Sequence, residues 1–183
     1  MASFNQKKLK TKDNRDIVIR SAVKEDAAGI LDLAKSVIGE EIYQLTSSAE
    51  FKLTLEDEIK WIESHIDRPF HIILVAILDT KIVGLINFSN GHKQRIAHTG
   101  EFGMSVDKSV RGLGIGALLL QSLIDWAKST DQIEKINLSV HANNDHAQAL
   151  YKKLGFVTEG VRKNDIKYGP SNYVDTVIMG KII

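Results

Sequence analysis

The chain has 183 residues, 43% hydrophobic and 26% charged, a balance that suits one soluble globular domain with a sizeable core. A formal net charge of +1 leaves no electrostatic footprint for a nucleic acid, and no apolar run is long enough to span a membrane. The lack of cysteine excludes disulfides, thiolate metal sites and a cysteine nucleophile; with no signal-peptide pattern, the cytoplasm is the expected compartment.

In chain order, residues 1–15 are polar and basic (Lys7, Lys8, Lys10, Lys12, Arg15) and read as a flexible basic segment ahead of a domain over 16–183. Asp16 to Arg20 is the first predicted strand. Ala27, Ile30, Leu31, Ala34, Val37 and Ile38 recur at helical spacing, which predicts a helix from Lys24 to Ile38, ended by Gly39. A second helix begins with Thr54 as N-cap before Leu55-Glu56-Asp57, carries Ile59, Ile62 and Ile66, and stops at Pro69. The two helices suit one wall of a cleft. Glu40, Glu41, Glu50 and Glu56 near that wall read as a solvated face, with attraction of a polyamine as the sharper alternative.

His71 to Leu78 and Ile82 to Ser89 have hairpin spacing around Asp79-Thr80-Lys81. Thr99 to Val106 is the next strand, with Phe102, Met104 and Val106 on one face. Gly100 and Gly103 predict a bulge or a close backbone approach in it. A helix from Gly114 to about Lys128 buries Ile115, Leu118, Leu119, Leu123 and Trp126. Lys135 to His141 alternates as a strand. Asn143 or Asn144 caps the next helix, which Gly155 ends. Two strands, Phe156 to about Ile166 and Tyr173 to about Ile182, close the chain around Gly169-Pro170-Ser171-Asn172. The strand-helix-strand unit implies a parallel pair among antiparallel hairpins. The result is a single α/β domain, a mixed, mostly antiparallel sheet of about seven strands with helices on both faces.

The organising stretch is Arg111-Gly112-Leu113-Gly114-Ile115-Gly116, where a loop becomes a helix. A helix N-terminus offers unpaired amides and a partial positive charge, and glycines let a ligand approach the backbone, so this is an anion site suited to a pyrophosphate. A nucleoside-triphosphate loop needs Gly-Lys and then Ser or Thr. Here Ala117 and Leu118 follow Gly116, which rules it out. Gly112-x-Gly114-x-x-Ala117 fits the dinucleotide fingerprint formally, but Asp107 to Arg111 separate it from its strand.

The loop resembles, at each fixed position, the Arg/Gln-x-x-Gly-x-Gly/Ala loop of the GNAT superfamily of N-acetyltransferases, which grips the pyrophosphate of coenzyme A. Asn144 to Phe156 resembles the Asn-x-x-Ala-x-x-Leu-Tyr-x-Lys-x-Gly-Phe stretch of the same superfamily. The resemblance covers residues 16–182. Glu159 to Arg162, Tyr173 to Asp175 and Met179 look like its branch of ribosomal-protein and small-amine acetyltransferases.

The resemblance implies the acyl-CoA N-acyltransferase fold and acetyl transfer from acetyl-CoA to a primary amine by direct attack, with no metal. The acceptor would be a small-molecule amine or a protein N-terminal amine, and homodimers are common in the superfamily. Arg111, Gly112, Leu113, Gly114, Ile115 and Gly116 would hold the pyrophosphate. Met104, Ser105 and Val106 would pair with the pantetheine arm, and Asn144, Ala147, Tyr151 and Lys153 would complete the cofactor site. Tyr151 would be the general acid, since a phenol holds its proton at pH 7. Glu101 is the candidate base, with His141, His98 and bulk water as alternatives. A catalytically silent domain that binds coenzyme A as a sensor or scaffold is the competing reading.

Overall fold

The computed structural model describes residues 4–40 and 43–183. Glu41, one of the four acidic wall residues, lies outside the described residues.

The strands are β1 (Lys7–Lys10), β2 (Asp16–Ser21), β3 (Ile72–Leu78), β4 (Lys81–Asn90), β5 (Thr99–Val106), β6 (Lys135–His141), β7 (Val157–Gly169) and β8 (Asn172–Ile182). The helices are α1 (Ala27–Ile38), α2 (Leu55–Ile66), α3 (Ile115–Lys128) and α4 (Asp145–Lys153). The eight strands form one sheet in the order β1-β2-β3-β4-β5-β6-β8-β7. Among the described residues, only the β5–β6 pairing is parallel. The extra strand is β1, in the stretch expected to be a flexible end: Leu9 lies opposite Ile17 and Lys7 opposite Ile19. Its sequence, Lys-Lys-Leu-Lys, hides it because an edge strand needs one inward apolar residue and tolerates charge elsewhere.

β3 is buried on both faces, which is why it reads as an unbroken apolar run. Leu74 and Ala76 face a core with Ile86, Phe88, Leu119, Leu123, Trp126, Ile136 and Leu138, under α3. Ile73 and Val75 face a second core with Leu85 and with Ile30, Leu33, Val37 and Ile62 of α1 and α2. Helices therefore cover both faces. Residues Lys24–Asp26 form a 3-10 turn ahead of α1, and Gly39 leaves α1 at φ −59°, so no left-handed cap ends it. Thr54 and Asp57 form a reciprocal capping box at the start of α2.

The β3–β4 turn places Asp79 and Thr80 at φ 48° and 69°, the hand a two-residue hairpin requires. The bulge expected in β5 is absent from its pairing with β4, which runs in register from Gly84↔Val106 to Asn90↔Gly100. Register shifts fall instead at Ala76/Ile77 in the β3–β4 pairing and at three places in the β7–β8 pairing. Gly100 answers to the other expectation, a close approach: a Cβ there would lie 2.4 Å from both the Phe88 ring and the Ser89 carbonyl oxygen.

β5 and β6 pair only over Thr99–Glu101 and Lys135–Asn137. Beyond that, β5 follows β4 and β6 follows β8, so the facing edges of 102–106 and 138–141 part. This opening positions the site.

Candidate functional site

The loop leading to α3 is built from local hydrogen bonds. After β5, the Asp107 amide donates to the Val83 carbonyl (2.9 Å). The Asp107 carboxylate accepts from the Ser109 amide and hydroxyl (2.9 and 2.6 Å) and from the Ser36 hydroxyl of α1 (2.9 Å). The Ser109 hydrogen bonds hold its pKa below the usual carboxylate value. Gly112 and Gly114 follow at φ +80° and +85°, a hand that L side chains resist. Space is not the constraint at Gly112, where a Cβ would meet nothing within 4 Å.

Leu118 donates to Gly114 (3.1 Å), the first bond of the α3 ladder, so the amides of Ile115, Gly116 and Ala117 are left without helical acceptors. Lys12 borders this turn. Its amide donates to the Leu113 carbonyl (3.0 Å) and its side-chain stem lies 3.4 Å from the Cβ position of Gly114. The loop is an anion cradle of backbone amides with a lysine beside it.

Arg111 is not free at the rim. Its Nη1 is 2.6 Å from Glu40 Oε2 and its Nε donates to the Val106 carbonyl (3.2 Å). Glu40 is largely buried, and its Oε1 has no partner among the described residues. The other described acidic wall residues are engaged locally: Glu50 accepts from the Ser47 amide and hydroxyl, and Glu56 pairs with Lys60. Both carboxylates are exposed.

The two sequence motifs meet at the opening of the sheet. Around the Cβ position of Gly116 lie Met104 Cε and Leu150 Cδ2, each at 3.5 Å. One residue on, Tyr151 sets its ring edge against Phe102 (5.7 Å between centroids) and near Phe156 (6.1 Å). It is 8% exposed, and burial pushes its phenol up to about 12, so it is protonated at neutral pH. Its hydroxyl has no hydrogen-bond partner among the described residues. Ser105 and Val106 continue the β5 edge that β6 has left. Asn144 caps α4, its Oδ1 accepting from the Ala147 amide (3.1 Å). Helix capping thus explains this asparagine without a ligand. Lys153 is exposed in the last turn of α4.

Glu101 is exposed on the opposite face from Phe102, where it accepts a hydrogen bond from the Ser139 hydroxyl (2.9 Å). Two residues back, Asn137 donates to the Thr99 hydroxyl (2.7 Å). His98 lies at the other end of β5, where its carbonyl accepts from the Glu134 and Lys135 amides. It is therefore remote from the opening, which removes it as a candidate base. His141 ends β6 at the open side, with Nδ1 2.7 Å from the Tyr168 hydroxyl. Tyr168 and Lys12 were not foreseen. Both contacts join segments distant in sequence, and no spacing rule connects them.

A model of the acetyltransferase (GNAT) family matches residues 39–156. The L-amino acid N-acetyltransferase AaaT of Escherichia coli is 32% identical over 124 residues, 67% of this chain and 75% of that protein. The [ribosomal protein bS18]-alanine N-acetyltransferase of Salmonella typhimurium is 36% identical over 80 residues, 43% of this chain and 51% of that one. Among solved structures, a GNAT-family acetyltransferase from Streptococcus pneumoniae superposes with a TM-score of 0.87 at 29% identity, covering 91% of this chain and 99% of that one.

Proposed function

The chain belongs to the acetyltransferase (GNAT) family, and from that premise we propose that it moves the acetyl group of acetyl-CoA onto a primary amine, either a small-molecule amine or a protein N-terminal amine. One observation carries the reading. The glycine turn at the start of α3, the unpaired edge of β5 and the buried phenol of Tyr151 converge where β5 and β6 part. Acetyl-CoA supplies an activated thioester, so no covalent acetyl-enzyme is required.

The residues present fit the coenzyme. The turn of Gly112 and Gly114 and the amides of Ile115 and Gly116, with Leu113 between, suit a pyrophosphate. Arg111 and Lys12 add positive charge once Arg111 leaves Glu40. Met104, Ser105 and Val106 offer backbone groups to an extended arm as an added strand would. Asn144 keeps its Nδ2 for that arm, since its Oδ1 caps α4. Ala147 and Lys153 flank it on α4.

Tyr151 holds the proton that a departing thiolate needs. Glu101 accepts a proton from the reacting nitrogen, oriented by Ser139. An amide of β5 on its free edge is placed to stabilise the oxyanion.

The relatives named above act on amino acids and on a ribosomal-protein alanine, so the test offers both acceptor classes. Free amino acids, polyamines and peptides with a free N-terminus are incubated with acetyl-CoA while released thiol is followed. Amine-dependent thiol release supports acetyl transfer. Binding of acetyl-CoA with no turnover on any amine supports a silent coenzyme-binding domain instead.

A further inference from the structure

On β6, Asn137, Ser139 and His141 alternate onto the face opposite the core row of Ile136, Leu138 and Val140. The first two reach across to β5, to Thr99 and Glu101. His141 is the next in that row, past the point where β5 turns away. It therefore stands at the mouth of the opening, on the same face as Glu101.

Its surroundings are specific. The side chain is 8% exposed. Nδ1 is fixed at 2.7 Å by the Tyr168 hydroxyl, and the rings of Tyr43 and Tyr168 meet it edge-on, each 6.0 Å away. Nε2 has no partner among the described residues. A structural core histidine is ordinarily satisfied at its polar atoms. Here one nitrogen is held and the other has no partner among the described residues.

We propose that His141, held by Tyr168, is a second proton acceptor for the amine substrate, acting ahead of Glu101. This rests on the acetyltransferase reading above. The reason is proton count. An alkylamine arrives as an ammonium ion and leaves as an amide, so its nitrogen gives up two protons. His141 Nε2 takes the first, which frees the lone pair. The C–N bond then forms at the thioester carbonyl, and Glu101 takes the second proton from the nitrogen. The C–S bond breaks, and the thiolate takes the proton of Tyr151. The Glu101 proton returns to the Tyr151 phenolate through solvent. His141 releases its proton to solvent, which leaves amide, thiol and one proton.

The charges around His141 leave it free to accept. Asp175 on β8, next to it through the Ala142 amide, is taken up by Lys163 and the Asn164 amide. Glu101 is turned to Ser139. β7 and the segment after α1 present the phenols of Tyr168 and Tyr43. α4 presents the Gln148 amide to the His141 backbone carbonyl. Burial holds the imidazole below its ordinary pKa, so it is neutral at pH 7.

The test is the pH profile of kcat/KM for the best amine of the panel, in wild type, His141→Gln and Tyr168→Phe. In His141→Gln the inference predicts a loss of about a hundredfold at pH 7 that shrinks as pH rises and free amine accumulates. The KM for acetyl-CoA stays unchanged. Tyr168→Phe keeps the imidazole but frees it, and its acid limb shifts with a smaller loss; this variant decides the matter if His141→Gln fails to fold. A wild-type profile in both variants, or an equal loss at every pH, overturns the inference. Calorimetry with acetyl-CoA on wild type reports the underlying reading separately. No binding there overturns that reading, and this inference with it.

Discussion

Burial suits Tyr151 to the proton-donor role proposed for it. Packed between Phe102 and Phe156, its phenol titrates at about 12, so it stays a proton donor throughout the working range. Tyr151→Phe keeps that packing and removes the proton. Its kcat should fall by about ten- to a thousandfold with the KM for acetyl-CoA unchanged, read by steady-state kinetics. An unchanged kcat would leave the ring a packing role only. Tyr151 was legible in the sequence because it belongs to a contiguous motif. The Arg111–Glu40 pair was not, because the two residues are 71 positions apart. In this pair Glu40 competes with any phosphate for the guanidinium. Glu40→Gln should therefore tighten acetyl-CoA binding by up to about fivefold, the scale of a partly exposed ion pair, measured by calorimetry.

The start of α3 depends on backbone hand. Gly114→Ala places an L residue at φ +85° and should cost about 1–2 kcal/mol in urea denaturation. Gly116→Ala should cost nothing, because Gly116 lies inside the helix and its Cβ would make ordinary contacts at 3.5 Å.

At the far side, α2 packs His65 against His71 of the β3 approach, and His71 stacks on His92. Burial, then the charges of His65, Arg68 and His92, lower His71 to about 4. The unfolded imidazole titrates near 6.5. Between those values the unfolded chain binds a proton that the native state does not, so stability falls as pH drops from about 6.5 to about 4. The urea midpoint should be lower at pH 5 than at pH 7, and His71→Phe should lessen the difference.

Strong periodicity made α1, α3, β5 and β6 readable almost to the residue. β1 escaped because a single inward leucine carries no period.

Across the whole molecule, the sheet is two blocks, β1–β5 and β6–β8, joined by a three-residue parallel pairing and the Asn137–Thr99 and Ser139–Glu101 hydrogen bonds. The strand-helix-strand order foretold the parallel pair. The early parting of these strands follows from β5 keeping register with β4 while β6 keeps register with β8. That divergence converts two separate motifs into one cleft, with Met104 and Leu150 bordering the Cβ position of Gly116 at its side. The Tyr43, His141 and Tyr168 cluster was illegible in the sequence, because the three residues come together only through the fold.

We propose above all that the glycine turn at the head of α3 seats the pyrophosphate of acetyl-CoA. The most direct test is calorimetric titration of wild type and Gly114→Glu with acetyl-CoA, with NADH in parallel. Wild type should bind acetyl-CoA saturably, the variant should lose that binding, and neither should bind NADH. A folded wild type that ignores acetyl-CoA, or a variant that binds it as well as wild type does, would contradict the proposal.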